Sequence, residues 1–178
     1  MNPAIQQIPS PLGPINLAAD NQGRLVYLAF ARPGGGIWLP RDLRGEPRDL
    51  AQDPSLLEPV RQQLAAYFRK ELRVFDLPLN LRGTPFQLKV WAQLQRIPYG
   101  TTISYGELAR RLGDLKLARA VGAANGANPI SIVVPCHRVI GANGSLVGFG
   151  GGLDTKRALL ELEQGPVMKA ETRPLFSI

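Results

Sequence analysis

Between residues 80 and 84 the spacing of apolar residues changes from strand-like to helical, and no single element spans such a change. The chain therefore divides into two units that must share or partition a core. Its 178 residues suffice for one domain or two small ones, and the reading is a domain over 1–80, a second over 81–165 and a tail over 166–178. In the first unit, residues 14–19 and 24–30 are apolar and partly β-branched, and Asn21-Gln22-Gly23 between them favours a hairpin. Residues 31–53 are crowded with Pro, Gly, Arg and Asp and read as a long surface loop. Leu57, Val60, Leu64, Tyr67 and Phe68 recur at helical spacing over 54–71, with Asp53 as N-cap and Pro54 at the first helical position. Arg73 to Leu81 reads as one more strand.

Beyond the switch, Thr84 and Pro85 open a helix through Gln95 whose stripe of Phe86, Val90, Trp91 and Leu94 reads as core. Pro98-Tyr99-Gly100 interrupts it. A helix over Thr101–Leu112 is expected to close at Gly113, and another to run from Leu115 to Gly126. The last two, joined at Gly113-Asp114, have the dimensions of a helix-turn-helix. Its second member is nearly bare: Ala118, Ala120, Gly122, Ala123, Ala124, Gly126 and Ala127 surround one long side chain, Arg119. A helix about 10–12 Å across with ordinary side chains does not enter a minor groove about 6 Å wide, whereas an Ala/Gly surface presses close to it and Arg119 then reaches the duplex. Tight helix packing with a solvated Arg119 is the competing reading.

Charge points the same way. Lys and Arg number 21 against 14 acids, a net charge of +7 that favours a polyanionic partner such as nucleic acid. With 44% hydrophobic and 20% charged residues the chain is neither disordered, collagenous nor a coiled coil. No apolar stretch approaches the ~18 residues that cross a bilayer, and the start lacks a signal-peptide pattern, so the expected compartment is the cytoplasm, or the nucleus of a eukaryote. A single Cys and a single His preclude an internal disulfide and a structural zinc set.

Those two residues are adjacent. In Ile130–Ile140, ISIVVPCHRVI, an apolar run ends at Pro135 and delivers Cys136, His137 and Arg138. A thiol with a pKa near 8.5 needs a base or positive surroundings to become nucleophilic; His137 is the candidate base and Arg138 adds positive potential. Neighbours on a strand face opposite ways, so the pair cooperates only if the chain turns after Pro135 or a water lies between them. A buried structural Cys beside a satisfied core His is the alternative.

PCHRVI, preceded by SYGELA, RAVG and ANP and followed by GFGGGL and LLELE, resembles the O6-alkylguanine-DNA alkyltransferase family over residues 84–163. The first 80 residues resemble it only in their hairpin, helix and strand plan. The resemblance implies a ribonuclease-H-like α/β domain followed by a mostly helical, winged-helix-like domain, an α/β (α+β) fold in all. It implies a single-turnover repair protein that takes the alkyl group of O6-alkylguanine onto Cys136, with O4-alkylthymine as a second candidate substrate, and that uses no cofactor and no metal. His137 matches the residue that takes the thiol proton through a water, Glu163 the carboxylate orienting it, Tyr105 the proton donor to the departing guanine, and Asn128 the brace of the Cys turn. Arg119 matches the finger that fills the stack after the nucleotide flips out, and Tyr105, Ala118, Gly122, Ala123 and Arg138 join it on the expected DNA face. Val139, Phe149 and Gly150 match the pocket, although the family often has Tyr at the position of Phe149 and Ser or Ala at that of Gly150. The implied partner is double-stranded DNA containing alkylated guanine, bound by a monomer, with cooperativity left open. A DNA-binding module with a structural Cys and a Cys–His hydrolase remain the alternatives.

Overall fold

A computed structural model describes residues 5–31 and 53–165. The expected loop, apart from its end residues 31 and 53, and the whole of the expected tail over 166–178 lie outside these residues. Strands β1 (Ile5–Ile8), β2 (Ile15–Ala19) and β3 (Leu25–Phe30) form an antiparallel sheet in that order, with Ile8 opposite Ile15 and Leu17 opposite Leu28. The expected hairpin is β2–β3, and β1 adds a strand that the sequence reading did not include. Its turn is organised by Asp20, whose Oδ1 accepts from the amides of Gln22 and Arg24, both at 3.0 Å, while Gly23 takes a φ of +75°. Every residue of β2 is buried, since Ile15, Leu17 and Ala19 face the main core and Ala18 packs with Val26 and Tyr27 on the other side.

A 3₁₀ turn (Pro54–Leu57), capped by Asp53 accepting from the Ser55 amide, runs into α1 (Glu58–Phe68). The segment expected as a strand over 73–81 is not one. Its backbone is satisfied otherwise: the Gln63 side chain donates to Asp76 O and accepts from Asp76 N, and ladder bonding is confined to Leu25, which donates to Pro78 O and accepts from Asn80 N. Pro78 has no amide to extend the pairing.

Helix α2 (Pro85–Leu94) begins with a capping box in which Thr84 and Gln87 bond each other's backbone amides. It buries Val90, Trp91 and Leu94, and the Trp91 indole donates to Ala124 O at 2.8 Å, tying it to the helix that carries Ala124. The next helix is shorter than the sequence suggests. Ile103–Ser104 forms β4, paired in parallel with β5 (Val139–Ile140), and α3 covers only Tyr105–Arg111, capped by Ser104. The β-branched Thr101, Thr102 and Ile103 favour extended backbone here. Gly113, at φ +108°, closes the helix as expected; a 3₁₀ turn (Leu115–Leu117) then leads into α4 (Ala118–Gly126). After a 3₁₀ turn at Cys136–Arg138, α5 (Leu153–Gln164) completes the described chain.

One apolar core joins the two halves, running from Ile15, Leu28 and Leu64 to Trp91, Val121, Val134 and Leu159. The edge of β3 away from β2 carries this union further. Leu28 donates to Pro129 O at 3.0 Å and accepts from Ser131 N at 2.8 Å, so the N-terminal sheet grips the segment that leads to Cys136.

Candidate active site

Cys136 sits where the apolar run turns. Ile132 takes a φ of +70°, the Val134 and Pro135 carbonyls accept from Cys136 N and Arg138 N, and successive side chains in the 3₁₀ turn diverge. Asn128 braces it by donating to Val134 O at 2.8 Å and accepting from Ile130 N at 3.0 Å. The thiol is buried, and burial pushes its pKa up; the side chains of Asn128 and Ser131 and the charge of Lys156 oppose that shift. Near neutral pH the group is thus held as a thiol.

His137 is wholly buried, with Nε2 2.8 Å from Glu163 Oε1. An ionised carboxylate only accepts, so Nε2 carries the hydrogen and Nδ1 is left with its lone pair. Nδ1 is buried without a hydrogen-bond partner among the described residues, so thiol and imidazole are not directly bonded. Burial pushes the imidazole below its ordinary pKa, against the pull of Glu163 and with the help of Arg138 and Lys156. Glu163 receives five donors: Tyr67 OH, His137 Nε2 and Arg138 Nη2 on Oε1, and Arg138 Nε and Gly100 N on Oε2. Burial alone would raise its pKa, but the bonds from His137 and Arg138 hold it well below the carboxylate range.

Arg138 corrects an expectation. Placed by sequence on the DNA face, it is instead 6% exposed, forked onto both oxygens of Glu163 at 2.9 Å, with Nη1 on Ile97 O at 2.6 Å. The 3₁₀ turn directs it inward, where a buried carboxylate requires a partner.

The remaining predicted residues fall into two groups. Phe149 and Gly150 line a cavity of about 290 Å³ that opens beside Cys136. Val139 does not line it; its carbonyl is taken by Lys156 Nζ at 2.6 Å. Tyr105 donates to Val147 O at 3.1 Å and stands 3.5 Å from Asn125 Nδ2, and burial raises its pKa. On α4, Arg119 and Ala123 are exposed and Ala118 and Gly122 half-buried, and Arg119 makes no ion pair among the described residues. Gly122 lies under Tyr105, where an added Cβ would come within 3.9 Å of the ring. A larger cavity of about 480 Å³ lies near Arg73, Tyr99 and Arg138, without Cys136 among its walls.

Four contributors escaped the sequence reading. Lys156 is buried and donates to both Val139 O and Val147 O, closing the loop between β5 and α5. Its signal was present: on α5 the buried stripe reads Lys156, Leu159, Leu160, Glu163, an apolar face with a charge at each end. Asn125 donates to Cys136 O at 3.4 Å, and Phe30 of β3 forms part of the cavity wall, edge-on to Phe149 at 6.4 Å. Tyr67 reaches Glu163 from α1, and helical spacing marks it only as core.

Two family descriptions match the chain: 6-O-methylguanine DNA methyltransferase, ribonuclease-like domain, over residues 6–81, and the DNA binding domain of the same family over 85–165. The chain is 48% identical to a Mycobacterium tuberculosis protein named methylated-DNA–protein-cysteine methyltransferase, over 88% of this chain and 90% of that protein. It is 49% identical to one of the same name from Methanosarcina acetivorans, over 86% and 94%. Crystal structures of the M. tuberculosis O6-methylguanine methyltransferase and of M. tuberculosis OGT in complex with DNA superpose with TM-scores of 0.78 and 0.79, each at 48% identity. They cover 90% and 91% of this chain, and 92% and 93% of theirs. The sheet-bearing first half and helical second half are thus the ribonuclease-like and DNA-binding parts of one mixed α/β architecture. In sequence and in architecture alike, the chain belongs to the 6-O-methylguanine DNA methyltransferase family.

Proposed function

We propose that this chain is a single-turnover DNA alkyltransferase that moves the alkyl group of O6-alkylguanine, with O4-alkylthymine as a second candidate, onto its own Cys136. One observation carries the reading: a buried thiol borders a cavity while the adjacent imidazole, fixed as the Nε2–H tautomer by Glu163, keeps an unshared lone pair on Nδ1. In the reaction the thiol proton passes through a water to Nδ1, sulfur forms a bond to the alkyl carbon, and the bond from that carbon to O6 breaks. Tyr105 supplies the proton that the departing guanine takes up, leaving its bond to Val147 O to do so. The product is a thioether, which resists hydrolysis, so each molecule acts once.

For the sulfur to meet a lesion the nucleotide must leave the stack, at a cost of a few kcal/mol that is least for a damaged base. The exposed Arg119 on the small-residue face of α4 supports a finger that fills the gap from the minor groove, with Ala118, Gly122 and Ala123 permitting the approach. We assign residues 1–80 and 81–165 to the two domains, with 166–178 as a tail, and read the protein as a cytoplasmic monomer that needs no cofactor. Among the described residues no helix is long and apolar enough to cross a membrane.

Incubation with duplex DNA containing O6-methylguanine is expected to add one methylene, about 14 Da, to the intact mass, mapped to the Cys136 peptide. Cys136→Ala should bind the duplex and gain nothing. Wild type unchanged in mass overturns the reading in favour of a binding module, and repeated turnover of an activated ester favours a hydrolase.

A further inference from the structure

Tyr67 lies on α1, in the half of the chain that carries neither the thiol nor the imidazole, yet its hydroxyl donates to Glu163 Oε1 at 2.7 Å across 96 residues of sequence. That oxygen is the one bonded to His137 Nε2. The ring is fully buried and packs edge-on against Phe68 and Tyr99 and beside Phe75, with centroids 5.3–6.1 Å away. Packing accounts for the ring, and a Phe would fill the same space. It does not account for the hydroxyl, since the forked Arg138 and the Gly100 amide already give the carboxylate a charge partner and further donors.

We infer that Tyr67 is a positioning residue for alkyl transfer: by donating to Glu163 Oε1 it reduces the negative charge presented to His137, so that the imidazole stays neutral and Nδ1 stays free to take the thiol proton. This rests on the alkyltransferase reading. The physical reason is competition, because a donor on an oxygen stabilises charge there and weakens that oxygen's stabilisation of an imidazolium. The groups facing the pair are Tyr67 from α1, Tyr99 after α2 with the Arg73 guanidinium 5.7 Å from its ring, Cys136 and Arg138 from the 3₁₀ turn, and Lys156 from α5. Among the described residues of this cluster Glu163 is the single carboxylate, so its charge density is the variable that Tyr67 controls. Burial and Glu163 push the phenol pKa far up, so it remains a donor throughout the working range.

His137 is the only histidine in the chain, so its imidazole resonances need no assignment by mutation. The test compares wild type, Tyr67→Phe, and a variant with 3-fluorotyrosine at position 67, by NMR titration of the imidazole and by the pH dependence of inactivation by O6-benzylguanine. Tyr67→Phe is expected to raise the imidazole midpoint, and the acid limb of the rate, by about one pH unit, a tenfold change in proton affinity. The stronger donor 3-fluorotyrosine should shift both downward. Superimposable titrations, or a rate lowered equally at every pH, overturn the inference. If Tyr67→Phe fails to fold, the fluorotyrosine variant decides: an acid limb that does not move down overturns it as well. Wild type that does not react with O6-benzylguanine overturns the alkyltransferase reading instead, and the titrations then still decide whether Tyr67 governs the imidazole.

Discussion

His137 Nε2 and Glu163 Oε1 stand 2.8 Å apart with neither side chain accessible to solvent, joining the 3₁₀ turn after Pro135 to the last turn of α5. The same carboxylate neutralises the buried Arg138. Glu163 therefore fixes the imidazole tautomer and balances a charge, and the two tasks are separable by mutation.

Glu163→Gln leaves the Arg138 guanidinium buried without a counterion, which is expected to cost about 3–5 kcal/mol of stability. It also releases the imidazole tautomer, lowering the transfer rate by about 10²-fold or more. Arg138→Met combined with Glu163→Gln should recover much of the melting temperature and none of the rate. Thermal melts and single-turnover kinetics on the three variants check this. Recovery of both would show that Glu163 acts on stability alone.

Acid should weaken the fold in two stages. His137 is held below its ordinary pKa of 6.5 by burial, so the unfolded chain binds a proton that the native state refuses, and stability present above pH 6.5 is lost as pH falls below it. Glu163 is held below its ordinary 4.5, so its contribution is present above pH 4.5 and is lost further down. Each proton corresponds to about 1.4 kcal/mol per pH unit. Melting curves between pH 4 and 8 are expected to fall from about pH 6.5 in wild type. In His137→Gln the decline should begin only near the carboxylate range.

Arg119→Ala separates docking from chemistry. On the proposed flipping step its loss removes compensation for an extruded nucleotide, so repair of duplex O6-methylguanine should slow by about tenfold or more, while reaction with free O6-benzylguanine stays within about twofold. Equal losses on both substrates would place Arg119 outside the flipping step.

Lesion size is expected to be set where the two halves meet. A Cβ on Gly151 would lie 2.9 Å from Phe149 and 3.0 Å from Phe30, so Gly151→Ala must displace a ring of the cavity wall. It should reduce reaction with benzyl lesions more than with methyl lesions. Phe30→Leu shortens the wall from the N-terminal side and should change the ratio in the opposite direction. Competition between the two lesions, read by mass, measures both.

Local pattern determined a good part of this protein. The β2–β3 hairpin, the Thr84 cap, the close at Gly113 and the Cys-His pair follow from turn chemistry, capping and residue types that act over a few positions. The motif order from SYGELA to LLELE carried the family and the pairing of His137 with Glu163. What tertiary structure alone decided is the inward course of Arg138, the failure of 73–81 to form a strand, and the arrival of Tyr67, Phe30 and Lys156 at the site. In each case the partner lies far along the chain or belongs to another element's backbone. Periodicity reports which face of an element is buried; which buried group a hydroxyl, guanidinium or ammonium meets there depends on how the elements pack.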